Sequence, residues 1–574
     1  MSLKTLRACQ TLSDLAHLLR VSPKGLSYVL YKIPAHLKYT QFAIPKKSGG
    51  TRQISSPDRR LKFVQSRLAD LLYACQREIV PVEQQVNKVL SHGFQRKRGL
   101  SIYTNARKHT NRRYVLNVDL EGFFPSLNFG RVRGFFLKNR EFQLPEAVAT
   151  VVAQVVCHRN ELPQGAPTSP IVSDLMARVM DVHLSRMAAS YGCTYSRYVD
   201  DLTFSTNLSE FPSALAVENH ATGKWAAGHE LRGRIWRQGF SLNDQKTRMQ
   251  TRTSRQEVTG LIVNKFVNIR SEVEASNRVL VHSLVKKGRC FHNDPHSGLK
   301  TPMSLEQLGG RLSHQFQTKA SLHSFKSARE IEKAGDPIPK FYRDYAAYIN
   351  YCNFHANTLP TIVCEGKTDV IYLKAAIRVL HQKYPKLGGL SGGKYASDIR
   401  FFGQSRHHTA ATKLSGGAGD VQHFVKEYGK IVHPFHAGGQ LMPVIVFVDN
   451  DKATNGIWSY IKEKTSSKTA IDGSRPFYHI ERNLFVVAVP GKVGTGERVV
   501  EDLFDSATKA KSWKGLTVDL NQKRGHPPAK GKMSKERFAT KIVRDQRDTI
   551  DFSGFEPVLQ AFSDIADIKL PGSK

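Results

Sequence analysis

Two adjacent aspartates, Asp200 and Asp201, lie in the stretch S-R-Y-V-D-D-L-T-F-S, between two runs of β-prone residues. Neighbouring carboxylates repel each other, so such a pair persists most readily where divalent cations offset the charge. Hard Mg²⁺ favours carboxylate and phosphate oxygens. Taken alone, the pair also suits an ordinary polar turn, because aspartate is a favoured turn residue. A third acid shifts the balance. Asp119 ends the largely apolar run R-Y-V-L-N-V-D, where an ionised carboxylate is costly to bury without a partner. Three such acids can hold two metals about 4 Å apart, one activating an attacking hydroxyl and the other stabilising a leaving pyrophosphate.

The elements that must position these acids are readable in outline. Asp200 and Asp201 need a strand, a tight turn and a returning strand, and Asp119 needs the end of a buried strand. Between them, L-P-Q-G-A-P-T-S-P places Gln164 and Gly165 in a turn that lets backbone approach a substrate closely, with Ser173 and Asp174 on the helix beyond. Upstream, A-I-P-K-K-S-G-G-T-R-Q-I reads as a basic hairpin. Lys46, Lys47 and Arg52 surround its turn, and Arg52 offers a bidentate fork for a triphosphate. Residues 58 to 80 have helical apolar spacing through Leu61, Val64, Leu68, Leu71 and Leu72, and residues 10 to 40 form a helical lead-in.

At 574 residues the chain is too long for one core and predicts about three or four structural units. Its 85 Lys and Arg against 49 Asp and Glu give a formal charge of +36, which points to a polyanionic partner. No apolar run approaches about 20 residues, so a membrane is not expected as partner. The N-terminus lacks the apolar stretch of a signal peptide, and seven cysteines without paired spacing suit a reduced, cytoplasmic setting.

In order and spacing, V-D-L-E-G-F-F, L-P-Q-G-A-P-T-S-P and Y-V-D-D resemble motifs A, B and C of reverse transcriptases. That resemblance implies an α+β right-hand polymerase of fingers, palm and thumb. It makes Asp119, Asp200 and Asp201 the metal ligands, sets Gln164 and Gly165 beside the incoming nucleotide, and makes Phe124 the gate against a ribose 2′-hydroxyl. Lys246, in F-S-L-N-D-Q-K-T, resembles the lysine that faces the triphosphate, and Lys47 and Arg52 match the fingers positions. N-A-R-K-H, carrying Asn105 and His109, and V-T-G, Val258 with Thr259 and Gly260, look like the marks of bacterial retron enzymes and imply RNA recognition. Val199 stands where many retron enzymes carry alanine.

By the same reading, fingers and palm occupy 1–269 and a thumb 270–357, with Lys286, Lys287 and Arg289 facing a duplex or an RNA stem. Cys290, His292 and His296 lack a second cysteine pair, so zinc is not expected. From 358 to 574 the text changes to α/β. T-I-V-C-E-G-K-T-D is a strand running into a helix, and P-V-I-V-F-V-D-N-D is a buried strand with Asp449 and Asp451 at its carboxyl end. Glu-Gly after one strand and Asp-x-Asp after another resemble a TOPRIM domain, closest to its OLD-nuclease branch. The resemblance implies a Mg²⁺ set of Glu365, Asp449, Asp451 and an acid at Glu501 or Asp502, with Lys532 as a phosphate contact. The Gly/Ser-rich segment 387–419 has no G-x-x-x-x-G-K-[ST] loop, so no ATPase is expected.

Together the resemblances imply a retron enzyme that copies a structured noncoding RNA into multicopy single-stranded DNA, fused to a TOPRIM phosphodiesterase and acting in antiphage defence. The implied cofactor is Mg²⁺ at both sites. The implied partners are dNTPs, the noncoding RNA and its DNA product, with a host nucleic-acid target and self-association left open. Two alternatives stay open beside it: a vestigial nucleic-acid-binding scaffold, and a group II intron-type reverse transcriptase with an accessory domain.

Overall fold

Asp119 and the aspartate pair are carried by neighbouring strands of one antiparallel sheet. The computed structural model describes residues 2–46, 49–80, 89–219, 221–293, 298–321, 325–403, 405–414, 416–437, 439, 442–465, 475–491, 498–522, 526–568 and 570. The chain divides into two units, Met1–Arg270 and Ser271–Lys574.

In the first unit, the short helix α1 (Pro23–Ser27) runs into a π-helical turn, Tyr28–Lys32. Strands β1 (Tyr39–Pro45) and β2 (Thr51–Pro57) then form the basic hairpin, closed by Gly49 and Gly50 at positive φ. Helix α2 (Arg59–Ile79) starts where the Asp58 carboxylate accepts from the amides of Arg60 and Leu61. Its buried stripe holds Leu61, Val64, Leu68, Leu71 and Leu72, as the spacing predicts. Burying those five side chains contributes on the order of 10 kcal/mol before chain entropy is counted. Helix α3 (Ile102–Arg107), strand β3 (Tyr114–Glu121), the long helix α4 (Ser169–Ser190), and strands β4 (Thr194–Tyr198), β5 (Asp201–Thr206) and β6 (Ser241–Thr251) follow. The sheet order is β4–β5–β3–β6. A small hairpin, β7 (Glu257–Val258) with β8 (Leu261–Ile262), turns on Thr259 and Gly260, both at positive φ. That backbone is the two-residue turn whose twist matches paired strands.

The second unit opens with helices α5 (Ser271–Lys287), α6 (Leu305–Ala320) and α7 (Lys340–Asn350). Then come β9 (Thr361–Cys364), α8 (Lys367–Val379), β10 (Arg400–Phe401), α9 (Ala418–Val432), β11 (Val444–Val448), β12 (Tyr478–Glu481) and β13 (Leu484–Ala488). The sheet order is β10–β9–β11–β13–β12, parallel except at β12. V-I-V-F-V of β11 is buried along its whole length, as a strand covered on both faces requires. On one side of this sheet, Val446 shares a continuous core with Phe424 and Tyr428 of α9 and with Phe316, Tyr345 and Phe354 from the preceding helical segment. Residues 270–357, expected as a domain of their own, are therefore built into the same interior as the sheet. Among the described residues, no helix is long and apolar enough to cross a membrane.

Candidate active site

Asp119 on β3 stands directly opposite Asp201 on β5, a placement that sets Cβ atoms about 5 Å apart on one face. Asp200 lies one residue earlier, in the two-residue turn that joins Tyr198 to Asp201. Its carbonyl accepts from the Leu120 amide at 3.0 Å, tying the turn to β3. Burial, with Asp119 and Asp200 close by, pushes the Asp201 carboxyl up to about 6, although the residue keeps open surface toward the cleft. Asp200 is raised by burial first and then by Asp119. Lys246 on β6 answers part of this charge, its Nζ lying 2.9 Å from Asp119 Oδ2, and that contact raises the lysine's pKa in turn.

The turn itself is strained. Val199 has φ +62°, a left-handed conformation that is an outlier for a β-branched residue and costs about 1–2 kcal/mol. Two neighbours hold it. Arg197 donates from Nη1 to the Val199 carbonyl at 2.9 Å. Gly93 leaves the space, since a Cβ there would meet Val199 Cγ2 at 2.8 Å and Val199 N at 2.9 Å.

Arg197 is fully buried and is clasped by two acids of α4. Its Nε and Nη2 reach the two oxygens of Asp181, both at 2.8 Å, and Nη2 also reaches Asp174 Oδ1 at 2.9 Å. Burial works against the guanidinium's charge, and Asp181 and Asp174 outweigh it. Sequence reasoning assigned no role to Arg197, Asp181 or Gly93, and placed Asp174 only as a residue beyond a turn. The available signal was two acids seven residues apart on the apolar face of α4, among Ile171, Leu175 and Leu184.

A cleft of about 1100 Å³ collects residues expected of a polymerase site: Asp119, Asp200, Asp201 and Lys246 line it, with Arg52, Phe124 and Gln164. Gly165, at φ +116°, packs so tightly on β2 that a Cβ would come within 2.9 Å of the Ser55 carbonyl, and the Ser55 amide donates to Gln164 O at 2.7 Å. Phe124 lies edge-on to Phe123, its ring centre 5.5 Å away. Lys47 lies outside the described residues.

Among the described residues, no three His, Cys, Asp or Glu side chains form a ready-made metal cage. In this cleft, one oxygen of Asp119 accepts from Lys246. The donor set nevertheless suits Mg²⁺: three clustered carboxylates offering oxygens, with Asp200 and Asp201 pushed upward by burial and by their acidic neighbours.

The residues expected to recognise RNA are placed differently. Asn105 and His109 have no exposed surface. His109 bridges Ser205 and Ser196 of β5 and β4, both at 2.7 Å, and Ser196 donates to Asn105 at 2.7 Å. Direct contact with RNA does not fit side chains buried in this way; they pin α3 to the strand pair that carries the aspartates. Val258 is buried in the β7–β8 hairpin, the Thr259 hydroxyl donates to the Ile102 carbonyl at 3.2 Å, and Gly260 is exposed.

A second acid cluster forms in the other unit, at the carboxyl ends of β9 and β11. Asp449 is pushed up to about 8 by burial and by Asp369, Glu365 and Glu501 nearby. Asp369, which sequence reasoning passed over, is raised to about 6 by burial first and then by Glu501, while accepting from the Gly366 amide at 2.7 Å. Of the two acids left open, Glu501 is 4% exposed and joins the cluster, whereas Asp502 is half-exposed and accepts from the Val499 amide. Asp451 caps the turn after β11 through the Ala453 amide at 2.9 Å. Lys535 faces Glu501 at 3.2 Å, and Lys532, expected as a phosphate contact, lies in a short strand, Lys532–Met533. Elsewhere, the Cys290 thiol is directed at the Met303 carbonyl and His292 is exposed, while His296 lies outside the described residues.

Residues 44–264 match the reverse transcriptase (RNA-dependent DNA polymerase) family. The retron Mx65 reverse transcriptase of Myxococcus xanthus is 35% identical over 260 residues, 42% of this chain and 55% of that protein. The retron Mx162 reverse transcriptase of the same organism is 32% identical over 296 residues, 47% of this chain and 56% of that protein. The match thus spans little more than half the length of these two relatives. The retron Ec86 reverse transcriptase of Escherichia coli is 30% identical over 276 residues, 48% of this chain and 78% of that protein. Among solved structures, telomerase from Candida albicans with a fragment of telomeric RNA is similar at 13% identity and a TM-score of 0.29, covering 55% of this chain and 61% of that one. That overlap is too low to argue from.

Proposed function

The chain belongs to the retron reverse transcriptases, and from that premise we propose that its first unit copies a structured noncoding RNA into multicopy single-stranded DNA, starting from a guanosine 2′-hydroxyl. The observation that carries the reading is the opposition of Asp119 and Asp201 across β3 and β5, with Asp200 in the adjoining turn. Those three carboxylates would hold Mg²⁺, which when bound supplies charge neutralisation for a triphosphate and lowers the pKa of an attacking hydroxyl. The rest is the work of this chain's own side chains. Lys246 and Arg52 line the cleft where phosphates of a dNTP would lie, and Phe124 bounds the side where the sugar would sit. The backbone at Gln164 and Gly165, fixed on β2, gives the nucleotide a rigid wall. Expression with the upstream DNA, followed by isolation of co-purifying nucleic acid, tests the reading. Asp200→Ala is expected to abolish the DNA, and its persistence would overturn the assignment.

For the second unit we propose a Mg²⁺-dependent phosphodiesterase of TOPRIM type, close to the OLD nucleases. Glu365, Asp449, Asp451 and Glu501, joined by Asp369, would form its acid set. The support is electrostatic: Asp449 is raised by burial and then by Asp369, and Asp369 by burial and by Glu501, beside parallel strands at the carboxyl ends where such folds place their chemistry. In this proposal the RNA–DNA product restrains the nuclease until phage infection disturbs it, which makes the protein an antiphage effector. Asp449→Ala should remove toxicity and leave DNA synthesis intact. A purified complex that degrades host nucleic acid at full rate with its DNA in place would end the restraint idea.

A further inference from the structure

We propose that the groove between α1 and α2 binds an unpaired stretch of nucleic acid, with bases stacked on Tyr28 and Phe63 and phosphates on the cations around them. The groove has a volume of about 790 Å³, within the range that buries a small ligand. Its floor is apolar, including Val21, Val29 and Val64. Its two rings are unusually open for such residues, Tyr28 at 47% exposure and Phe63 at 51%.

Charge selects the occupant. Arg59, Arg60 and Lys62 line the groove, and no carboxylate does. The Arg60 guanidinium lies 5.3 Å from the Tyr28 ring centre, and that of Arg67 lies 5.3 Å from the Phe63 ring. None of these four cations has an ion-pair partner among the described residues, whereas Arg96 is paired with Asp70 at the middle of α2. An apolar protein helix would use the floor and leave four positive charges unmatched. Single-stranded nucleic acid uses both features, because every base has a face to stack and every linkage a charge to neutralise. The groove shares no lining residue with the catalytic cleft, so its occupancy does not depend on polymerase chemistry.

The test uses the full chain and a ten-nucleotide oligouridine carrying one 4-thiouridine. Ultraviolet crosslinks are expected on peptides containing Tyr28 or Phe63, and they should persist in Asp200→Asn. The double variant Tyr28→Ala/Phe63→Ala should weaken binding at least tenfold. Arg60→Glu, a surface change that leaves the fold intact, should weaken it and flatten its salt dependence. Both variants should extend a saturating primed template at the wild-type rate. Crosslinks confined to the catalytic cleft, affinities within twofold of wild type in both variants, or a groove that takes a leucine-rich helical peptide but not the oligouridine would each overturn the proposal.

Discussion

Arg197 is the perturbation that separates a chain that merely folds from one whose turn is set correctly. Arg197→Ala strands Asp174 and Asp181, which are 4% and 1% exposed, without their cation. Removing one partner of a buried ion pair costs about 3–5 kcal/mol. Asp174 keeps donors from Gln76 at 2.6 Å and Gln95 at 2.8 Å, while Asp181 keeps the Tyr195 hydroxyl at 2.8 Å. A loss within that range corresponds to a fall in Tm on the order of 10 °C for a unit of this size. Arg197→Lys is the sharper variant. It preserves the charge, but a single ammonium cannot reproduce a fork that serves Asp181, Asp174 and the Val199 carbonyl together. The strained turn then loses its tether, and a displacement of about 1 Å at Asp200 and Asp201 costs on the order of 100-fold in rate. Melting by circular dichroism, with single-turnover primer extension at a temperature where the variant is fully folded, reads both quantities. A folded Arg197→Lys protein that extends primers within twofold of wild type would refute the claim that this guanidinium sets the turn.

Gly93→Ala should act on the same turn from the other side. With a methyl within 2.9 Å of the Val199 backbone, we expect destabilisation of about 1–3 kcal/mol and a larger proportional loss of extension, measured as above. His109→Ala removes the buried partner of the Ser205 hydroxyl and leaves Ser196 only its bond to Asn105, which should cost about 1–3 kcal/mol while RNA affinity of the folded protein stays the same; a gel-shift titration showing a tenfold loss would restore a direct contact. The raised acids give a pH signature. An unfolded aspartate titrates near ~3.9, whereas folded Asp201 sits at about 6 and Asp449 at about 8. The folded chain therefore holds protons that the unfolded chain has lost. Stability from these groups falls as pH rises, from about 4 to 6 for Asp201 and from about 4 to 8 for Asp449. Added Mg²⁺ should reverse that fall, so its effect on Tm should grow between pH 5 and 8.5, as an order-of-magnitude window set by those shifts, and Asp449→Asn should flatten the upper part. A Mg²⁺ effect independent of pH would contradict the assignment.

Much of the first site was legible because its chemistry is local in the text. A run that becomes a strand delivers Asp119, and two β-prone runs with acids between them become β4, the turn and β5. The apolar stripe of α2 and the Gly-Gly hairpin were readable for the same reason, since periodicity and turn residues act over short spans. What was not legible is which way a polar side chain faces. Asn105 and His109 have the residue types of a binding motif, yet their partners come from strands about ninety residues away and enclose them completely. Asp174 and Asp181 pass in the sequence for solvated helix acids until Arg197 is seen between them. Asp369 accepts from the Gly366 amide in the first turn of its helix, and nothing in the local text tells that the same side chain also lies near Asp449. Lys535, in the first turn of the helix Lys535–Phe538, reaches Glu501 across more than thirty residues of sequence, a pairing that no local pattern announces.

The helices over 271–350 and the parallel sheet share one apolar interior, with Phe316 and Tyr345 in the same cluster as Val446. A cut after residue 357 would therefore expose a raw hydrophobic face on each fragment rather than release a working module. A cut there does not separate the second acid cluster from the helices that complete its unit. Whatever load those helices bear is transmitted to the sheet through a close-packed interior that does not yield gradually.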